Sequence, residues 1–238
     1  MSKSVLVTGG AKRVGRVIAK EFAKASYKVF IHYNRSEREA MEVIEEIKSF
    51  GAEAKALKAD LTKEEEVRAM VEALKNDNQT LTCLVNNAGV FRKTPIDHMT
   101  LEDLDFHLNT NLRAPFLLSV LARPLIEDGG VIINVADVAA FRPFREYVPY
   151  CISKASVVML TKAMAKAFAP KIRVCAVAPG TVLFREDEDE ELRGRVIAKI
   201  PMGRIGTPED VARAMLFLAS SPHITGVVLP VDGGRLLA

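Results

Sequence analysis

Short apolar runs alternate with longer amphipathic stretches along nearly the whole of the 238-residue chain. This alternation is typical of repeated βαβ units, in which helices cover both faces of a parallel sheet. Seven runs are candidate strands, and most of them are rich in Val and Ile, as buried strands usually are. They comprise Ser4 to Val7, Lys28 to Tyr33, Glu53 to Lys58, Leu81 to Asn86, Val131 to Val135, Arg173 to Val177 and Val227 to Val231. The sequence therefore predicts an α/β fold with a Rossmann-like, doubly wound parallel sheet of about seven strands flanked by helices.

The segment between the second and third predicted strands shows a helical pattern. Met41, Ile44, Ile47 and Phe50 recur at spacing three among Glu and Lys residues, and Gly51 follows them. We expect a surface helix that turns these four apolar residues toward the sheet and ends at the glycine.

The composition narrows the classes of function and of site. Lys and Arg number 33 against 30 Asp and Glu, so the formal charge is only +3 and evenly spread, which argues against a nucleic-acid or membrane partner. The three cysteines have neither CxxC spacing nor a nearby His cluster, so we expect no metal site and no disulfide framework.

No apolar run has the length of a signal peptide or of a membrane span, so we expect a cytoplasmic protein. Because no flexible linker interrupts the chain, one domain over residues 1–238 is favoured.

A glycine-rich turn follows the first predicted strand. It runs from Thr8 to Gly15 with the sequence TGGAKRVG, and an amphipathic helix comes directly after it. Glycines at such a turn let the backbone approach a pyrophosphate, whose charge the helix N-terminus then stabilises. A tight turn with no ligand is the alternative interpretation. Arg13 favours an anion here, because a cation in the first helical turn is unfavourable unless a phosphate lies beside it.

The end of the second predicted strand indicates which dinucleotide the turn would bind. The segment from His32 to Ser36 reads HYNRS and offers no acid to pair with a free ribose 2′-hydroxyl. Arg35 and Ser36 instead suit a 2′-phosphate, which they can hold by charge-assisted hydrogen bonds. The segment therefore predicts NADPH/NADP⁺ rather than NADH/NAD⁺ as cofactor, unless Arg35 is only a solvated loop charge.

Three further motifs complete the pattern. Asn86 to Gly89 reads NNAG at the end of the fourth strand, Asn111 lies in the segment NTNLRAPF, and Tyr150 and Lys154 form a YxxxK motif. Together with the glycine turn and Pro179-Gly180, these motifs resemble the short-chain dehydrogenase/reductase family over essentially the whole chain. A helix would bring Tyr150 and Lys154 to one face, where the ammonium group can stabilise a phenolate.

The family resemblance implies a role for each of these residues. Tyr150 donates the proton, Lys154 holds the nicotinamide ribose and lowers the pKa of Tyr150, and Asn111 supports a proton-relay water. The resemblance further implies a cofactor site made of Gly9, Lys12, Arg13, Val14, Gly15, Tyr33, Asn34, Arg35, Ser36, Asp60, Leu61, Asn87, Ala88, Gly89, Tyr150, Lys154, Pro179 and Gly180.

Two departures from the family pattern bear on the substrate. Asp137 stands thirteen residues before Tyr150, where the family usually has a serine, and Arg13 replaces the usual second glycine. With Phe91 and the HYNRS segment, these residues look like the pteridine reductase branch, including the dihydromonapterin reductases. The substrate residues are therefore expected to be Arg13, Phe91, Asp137 and Tyr150.

The chemistry of Asp137 is consistent with that branch. A carboxylate would repel the oxyanion of a ketone reduction, whereas a carboxyl group with a raised pKa can share a proton with Tyr150 for a ring C=N. Phe91 offers a face for stacking on a planar pterin. A solvated loop acid at Asp137 and a loop-anchoring hydrophobe at Phe91 are the alternative interpretations.

The leading hypothesis is an NADPH-dependent oxidoreductase that transfers hydride to a pterin or dihydrofolate-like small molecule. A carbonyl reductase of 3-oxoacyl or small keto substrates and a non-catalytic NADP-binding sensor are the alternatives. Family resemblance implies a homo-oligomer, a tetramer or dimer, built from the helices around Asn111 and Tyr150 and from the C-terminal strand. Locally, the acidic segment Glu186 to Glu191 is expected to be a solvated helix start whose acids complement the helix dipole. Its place after Pro179-Gly180 implies, by family resemblance, that it forms the outer part of a lid.

Overall fold

A computed structural model describes residues 3–77, 80–184 and 189–238. Its strands form one seven-stranded sheet in the order β3-β2-β1-β4-β5-β6-β7, and every neighbouring pair is parallel. The strands are β1 Ser4–Val7, β2 Lys28–Tyr33, β3 Ala54–Lys58, β4 Leu81–Asn86, β5 Ile126–Val135, β6 Arg173–Pro179 and β7 Val228–Val231. The predicted single-domain, doubly wound α/β fold is confirmed.

Helices cover both faces of the sheet. Those that the structure describes are α1 Arg13–Lys24, α2 Glu37–Ser49, α3 Glu64–Asn76, α4 Leu101–Leu108, α5 Ala114–Ala122, α6 Val148–Phe168, α7 Glu190–Ile197 and α8 Pro208–Ser220. One π-helical turn, Asn109–Arg113, joins α4 to α5. Within the described ranges, no helix is both long and apolar enough to cross a membrane.

The two faces of the sheet bury separate cores because successive side chains of a strand point to opposite faces. Val5 and Val7 of β1 pack on one side with Phe22 of α1 and Met215 of α8. Leu6, between them, packs on the other side in the cluster that also holds residues of α3, α5 and α6. With both faces covered, the central strands β1 and β4 are mostly apolar and fully or nearly fully buried, and this is why the sequence pattern located them.

Helix α2 corrects part of the sequence prediction. Ile44 and Ile47 are buried as expected, but Met41 and Phe50 are 48% and 45% exposed, while Ala40 and Val43 complete the buried face. Each step of three residues rotates about 300° around the helix axis, which is about 60° short of a full turn. Four residues at this spacing are therefore spread around the helix and do not lie on one face. The helix ends as predicted, since Gly51 follows with a left-handed φ of 78°.

The strand order reverses beside β1, and this position creates a crevice. β2 and β4 flank β1, and the chain leaves β1 and β4 in opposite directions to build the two halves of the sheet. The carboxyl ends of parallel strands share one edge, and ligands of doubly wound sheets bind at such a reversal. The glycine turn after β1, the NNAG segment after β4 and Asp137 after β5 therefore meet at this edge.

Candidate active site

Two adjoining cavities lie at the carboxyl edge of the sheet. The first, of about 490 Å³, is lined by the glycine turn, the end of β2 and the NNAG segment. The second, of about 330 Å³, is lined by Asp137, Tyr150, Phe91 and the segment after β6. Arg13 and Val14 line both cavities. The arrangement suits two ligands that meet at the β1–α1 turn, and we call the two spaces the cofactor cavity and the substrate cavity.

Most of the residues predicted to hold the cofactor line a cavity. Those on the cofactor cavity are Gly9, Lys12, Arg13, Val14, Gly15, Asn34, Asp60, Leu61, Asn87, Ala88 and Gly89. A smaller cavity of about 290 Å³ continues from it along the end of β2 and is lined by Gly9, Ala11, Lys12, Tyr33, Asn34, Arg35 and Ser36. Tyr150 and Gly180 line the substrate cavity. Lys154 and Pro179 line none of these three spaces and are buried in α6 and β6.

The glycine turn is shaped by close backbone contacts. A Cβ on Gly15 would overlap the carbonyl oxygen of Gly9 and come within 2.6 Å of Asn87 Nδ2. Gly9 has a left-handed φ of 61°, and Arg13 has one of 49°. A left-handed φ favours glycine, which explains why the family usually has one where this chain has Arg13. The exposed Arg13 side chain makes no ion pair with any described residue.

We expect Gly15→Ala to damage this turn. The added methyl group would force the Gly9 carbonyl away, and overpacking of this kind typically costs about 1–3 kcal/mol. Urea unfolding would measure the lower stability, and titration with NADPH would measure the loss of binding. Gly194→Ala in α7 is the matched control, because nothing lies within 4 Å of its added Cβ. Equal stability and cofactor affinity for Gly15→Ala and the natural sequence would contradict this account of the turn.

Two side chains that the sequence analysis did not assign support the turn. The hydroxyl oxygen of Thr8 accepts hydrogen bonds from the N–H groups of Asn87 and Ala88, both at 2.9 Å. His32 Nδ1 accepts from the Gly9 N–H at 3.1 Å, so its Nε2 is the nitrogen that donates to the Ala59 carbonyl at 2.9 Å. Burial lowers the pKa of His32, which favours this neutral form. Both contacts join residues distant in the chain, and no local pattern signals them.

The side chains of Tyr150 and Asp137 form a direct hydrogen bond, as their spacing predicts. The Tyr150 hydroxyl, on α6, donates to Asp137 Oδ2 at 2.8 Å. The other carboxylate oxygen of Asp137 accepts from the Ala139 N–H at 2.7 Å, in the short helical turn that follows β5. Both carboxylate oxygens are therefore engaged, and the carboxyl group is fixed at the wall of the substrate cavity.

Burial dominates the ionisation of this cluster. It raises the pKa of Asp137, and burial together with the neighbouring carboxylate raises the pKa of Tyr150 well above 10. Burial lowers the pKa of Lys154 to about 8, against the opposing attraction of Asp137. Lys154 Nζ donates to the Val135 carbonyl at 2.8 Å and lies 5.8 Å from the Tyr150 ring centroid. Burial and Asp137 set the direction of the Tyr150 pKa in this arrangement, and the expected lowering of that pKa by Lys154 stays a prediction.

Asn111 lies in the π-helical turn and is buried. Its Oδ1 accepts from the Val90 N–H at 2.8 Å, and its Nδ2 donates to the Val90 carbonyl at 3.1 Å and to Ser153 Oγ at 2.9 Å. Ser153 Oγ in turn donates to the Tyr150 carbonyl at 2.7 Å. The Asn111 side chain thus ties the loop after β4 to the helix that carries Tyr150.

Aromatic rings form one side of the substrate cavity. Phe91 is 46% exposed, stacks on Tyr147 at a centroid distance of 4.4 Å and meets the Tyr150 ring edge-on at 4.7 Å. One face of Phe91 is therefore already covered, and a planar ligand can use only the other. Phe144, Tyr147 and Arg235 also line the cavity, and none of the three belongs to a motif that was predicted to form the site. The position of Arg235, directly after two glycines, was the available signal for a turn into the site.

The acidic segment is only partly described. Residues 186–188 lie outside the described ranges, whereas Asp189 caps α7 by accepting from the Leu192 N–H at 2.7 Å. Leu192 and Val196 of α7 line the substrate cavity, as do Thr181 to Phe184 before the segment. The chain on both sides of the acidic residues therefore borders the substrate cavity.

Known proteins resemble the chain over its full length. A family model described as enoyl-(acyl carrier protein) reductase matches residues 9–235. The 3-oxoacyl-[acyl-carrier-protein] reductase FabG of Staphylococcus aureus is 35% identical over 100% of this chain and 99% of that protein. The structure of a short-chain dehydrogenase/reductase from Serratia marcescens superimposes with a TM-score of 0.93 at 33% identity and covers 98% of both chains. That of FolM alternative dihydrofolate reductase 1 from Brucella canis, complexed with NADP, does so with 0.92 at 31% identity, over 99% of this chain and 94% of that one.

The arrangement of the motifs at the crevice is consistent with the similarity to these proteins. The glycine turn, the NNAG segment and the YxxxK motif lie together at the carboxyl edge of the sheet, around two adjoining cavities. The matched family model spans this whole arrangement. The chain belongs to the short-chain dehydrogenase/reductase family and is an oxidoreductase.

Proposed function

We propose that the protein is an NADPH-dependent reductase that acts on the ring C=N of a dihydropterin or dihydrofolate-like substrate. The observation that carries this proposal is the hydrogen bond of 2.8 Å between Tyr150 and Asp137 in the buried wall of the substrate cavity. An acid at this position can hold a proton for a ring nitrogen, whereas it opposes the oxyanion of a ketone reduction.

The cofactor cavity fits a dinucleotide with a 2′-phosphate. The small cavity at the end of β2 offers Lys12, Arg35 and Ser36 and no acidic lining residue, although Glu39 pairs with Lys12 at 2.8 Å. Arg13 adds a third cation, without a described ion-pair partner, where the two cavities meet. The NADP in the FolM structure supports the same choice.

Replacement of Arg35 tests the cofactor assignment. We expect Arg35→Ala to weaken NADPH binding about 10–100-fold, because a charge-assisted hydrogen bond is worth about 1.5–3 kcal/mol, and to leave NADH binding nearly unchanged. Fluorescence titration with each cofactor measures both affinities. Arg38→Ala is the matched control, since this arginine lies three residues away on exposed helix surface. An equal loss for NADPH and NADH would contradict the 2′-phosphate assignment.

NADPH, when bound in the cofactor cavity, supplies a hydride to the ring carbon of the substrate. The chain's own residues must then deliver one proton to the adjacent ring nitrogen. The Tyr150 hydroxyl is the nearest donor, but a phenolate beside an ionised Asp137 would place two negative charges in a buried site. In the reacting form Asp137 is therefore protonated on Oδ2 and donates to the Tyr150 oxygen, the reverse of the bond in the ionised form, so that Tyr150 regains a proton as it protonates the nitrogen. The Lys154 ammonium group offsets the charge that remains on Asp137.

A carbonyl reductase is the second candidate, and one observation favours it. FabG, which reduces a 3-oxoacyl group by its name, is 35% identical over the whole chain. In that case Asp137 would be a tolerated variation of the usual serine. A non-catalytic NADP sensor is less well supported, because a protein that only binds NADP does not need the hydrogen bond between Tyr150 and Asp137.

A substrate panel separates these three functions. Purified protein is mixed with NADPH and with dihydrobiopterin, dihydrofolate, dihydromonapterin or methyl acetoacetate, and the NADPH absorbance is followed. Turnover of the pterins supports the proposed function. Turnover of methyl acetoacetate alone would establish the carbonyl reductase, and tight NADPH binding without any turnover would establish the sensor.

Two coarser proposals accompany this one. Residues 1–238 act as one NADP-binding domain, and the protein is a homo-oligomer. Exposed apolar side chains on α5, which follows Asn111, and on α6, which carries Tyr150, support the homo-oligomer. Phe116 is 51% exposed, Val120 44% and Met159 64%.

A further inference from the structure

The substrate cavity contains a cation that the proposed reaction does not use. Arg235 follows β7 and lines the cavity together with Asp137 and Tyr150. Gly233 and Gly234 precede it with left-handed φ angles of 64° and 85°, a conformation that turns the chain sharply. The C-terminal segment thereby places a guanidinium group at the cavity wall.

Arg235 is held in place by several contacts. Its Nη1 donates to Thr181 Oγ1 at 2.7 Å, and its guanidinium carbon lies 5.3 Å from the Phe144 ring centroid. The carboxylate of Asp232 accepts from the N–H groups of Gly234 and Leu236, both at 2.9 Å, which fixes the backbone around the arginine. The side chain is thus ordered before a ligand arrives, which reduces the entropy lost on binding.

The charges of the cavity are unbalanced. Two guanidinium groups, Arg13 and Arg235, line it, and Asp137 is the one carboxylate among the described lining residues. Both oxygens of Asp137 already accept hydrogen bonds, from Tyr150 and Ala139. Within residues 3–77, 80–184 and 189–238, no carboxylate forms a salt bridge with either arginine, and Thr181 is the sole hydrogen-bond acceptor of the Arg235 side chain.

The two arginines differ in what they can bind. Arg13 also lines the cofactor cavity, where a phosphate is its natural partner. Arg235 comes from the C-terminal segment and lines only the substrate cavity among the cavities described. A planar guanidinium with free N–H groups matches a carboxylate in shape as well as in charge.

We propose that Arg235 is a specificity-determining residue that binds a carboxylate of the substrate. This inference rests on the proposed function and narrows its substrate class to planar molecules whose carboxylate lies close to the reacting bond. The closeness follows from geometry, because Arg235, Asp137 and Tyr150 share one cavity of about 330 Å³.

Two pterins that differ in one substituent test the proposal by binding alone. The dissociation constants of 6-carboxypterin and neutral 6-methylpterin are measured by fluorescence titration with the protein saturated by NADP⁺. We expect the natural protein to prefer the carboxylate about 10–100-fold, the size of a charge-assisted hydrogen bond. Arg235→Met, which retains the packing on Phe144, should abolish that preference and leave 6-methylpterin binding unchanged. Arg235→Lys should retain part of it.

Arg145→Met is the matched control, since this exposed arginine carries the same charge but lines neither cavity. No preference in the natural protein, an equal loss for both ligands in Arg235→Met, or no binding of either ligand would overturn the proposal.

Turnover of neutral substrates separates this proposal from the proposed function. Reduction of dihydrobiopterin and methyl acetoacetate is followed for the natural protein and for Arg235→Met. Turnover by both proteins without a carboxylate preference would refute the role of Arg235 and leave the reductase intact. A carboxylate preference in binding, with no reduction of 6-carboxy-7,8-dihydropterin or of either neutral substrate, would refute the reductase and leave the role of Arg235 intact.

Discussion

Replacement of Tyr150 by Phe is expected to lower kcat/KM by about 10²–10⁴, the usual contribution of a positioned general acid. The variant loses the hydroxyl that donates to Asp137 but keeps the ring that contacts Phe91 edge-on. NADPH affinity should stay within a factor of about three, because the loss is confined to proton transfer. Steady-state kinetics with dihydrobiopterin and titration with NADPH measure the two effects separately.

The matched control is Tyr27→Phe, which removes a hydroxyl from a buried tyrosine in the core and leaves the substrate cavity intact. It should retain the full activity of the natural protein. If Tyr150→Phe kept more than about a tenth of the natural kcat/KM, Tyr150 would not be the general acid.

Replacement of Asp137 by Asn should reduce pterin turnover by a similar factor and should also change its pH dependence. The amide side chain introduced by Asp137→Asn can still accept from the Ala139 N–H through its oxygen, so we expect the fold to be retained. It cannot hold the proton that the proposed reaction consumes. The loss should therefore appear in kcat rather than in stability.

The sign of the pH dependence follows from the state of Asp137 that reacts. Burial raises its pKa above the ordinary value of 3.8, so the protonated form persists to higher pH than in an exposed aspartate. The reacting form is present below the raised pKa and is lost as the pH rises through it, so pterin turnover should fall with increasing pH. The residual pterin turnover of the variant Asp137→Asn should not show this fall with increasing pH.

Asp105→Asn, on the exposed surface of α4, removes the same charge and should leave both the rate and the profile unchanged. Asp137→Ser, which introduces the residue usual in the family, should lower pterin turnover and raise the turnover of methyl acetoacetate. An unchanged pterin profile in Asp137→Asn would show that Asp137 does not hold the transferred proton.

The bounds of the strands could be predicted where a strand is short and helices cover both of its faces. β1, β2 and β4 have the predicted bounds, because each is a short, mostly apolar run that ends in a turn. β5 begins at Ile126, before the predicted Val131, and its first half contains Glu127, Asp128 and two glycines. Those polar residues hide the strand in the sequence, and its pairing with β4 shifts register between Leu81 and Cys83.

The grouping of Asp137, Tyr150 and Lys154 could be predicted for a different reason. Tyr150 and Lys154 lie four residues apart on one helix, and the fixed spacing from Asp137 spans a single strand-to-helix connection. Local geometry therefore brings these residues together. The ionisation of Tyr150 could not be predicted, because it depends on how deeply the tertiary structure buries the pair.

Tyr147, Phe144 and Arg235 illustrate what local patterns do not contain. Phe144 follows β5 and Arg235 follows β7, far apart in the chain, and the turn after β7 brings them together. Their contact has no counterpart in the spacing of the sequence. The substrate-facing wall of the cavity is therefore the part of the site that only the three-dimensional arrangement reveals.

Competition between two substrates for limiting NADPH tests the central claim most directly. Dihydrobiopterin and methyl acetoacetate are supplied at equal concentration to the natural protein, and the reduced products are quantified by chromatography after the NADPH is consumed. The pairing of Asp137 with Tyr150 predicts that tetrahydrobiopterin is the main product. A product mixture dominated by the hydroxy ester would contradict the assignment of Asp137 to C=N reduction and would identify the protein as a carbonyl reductase.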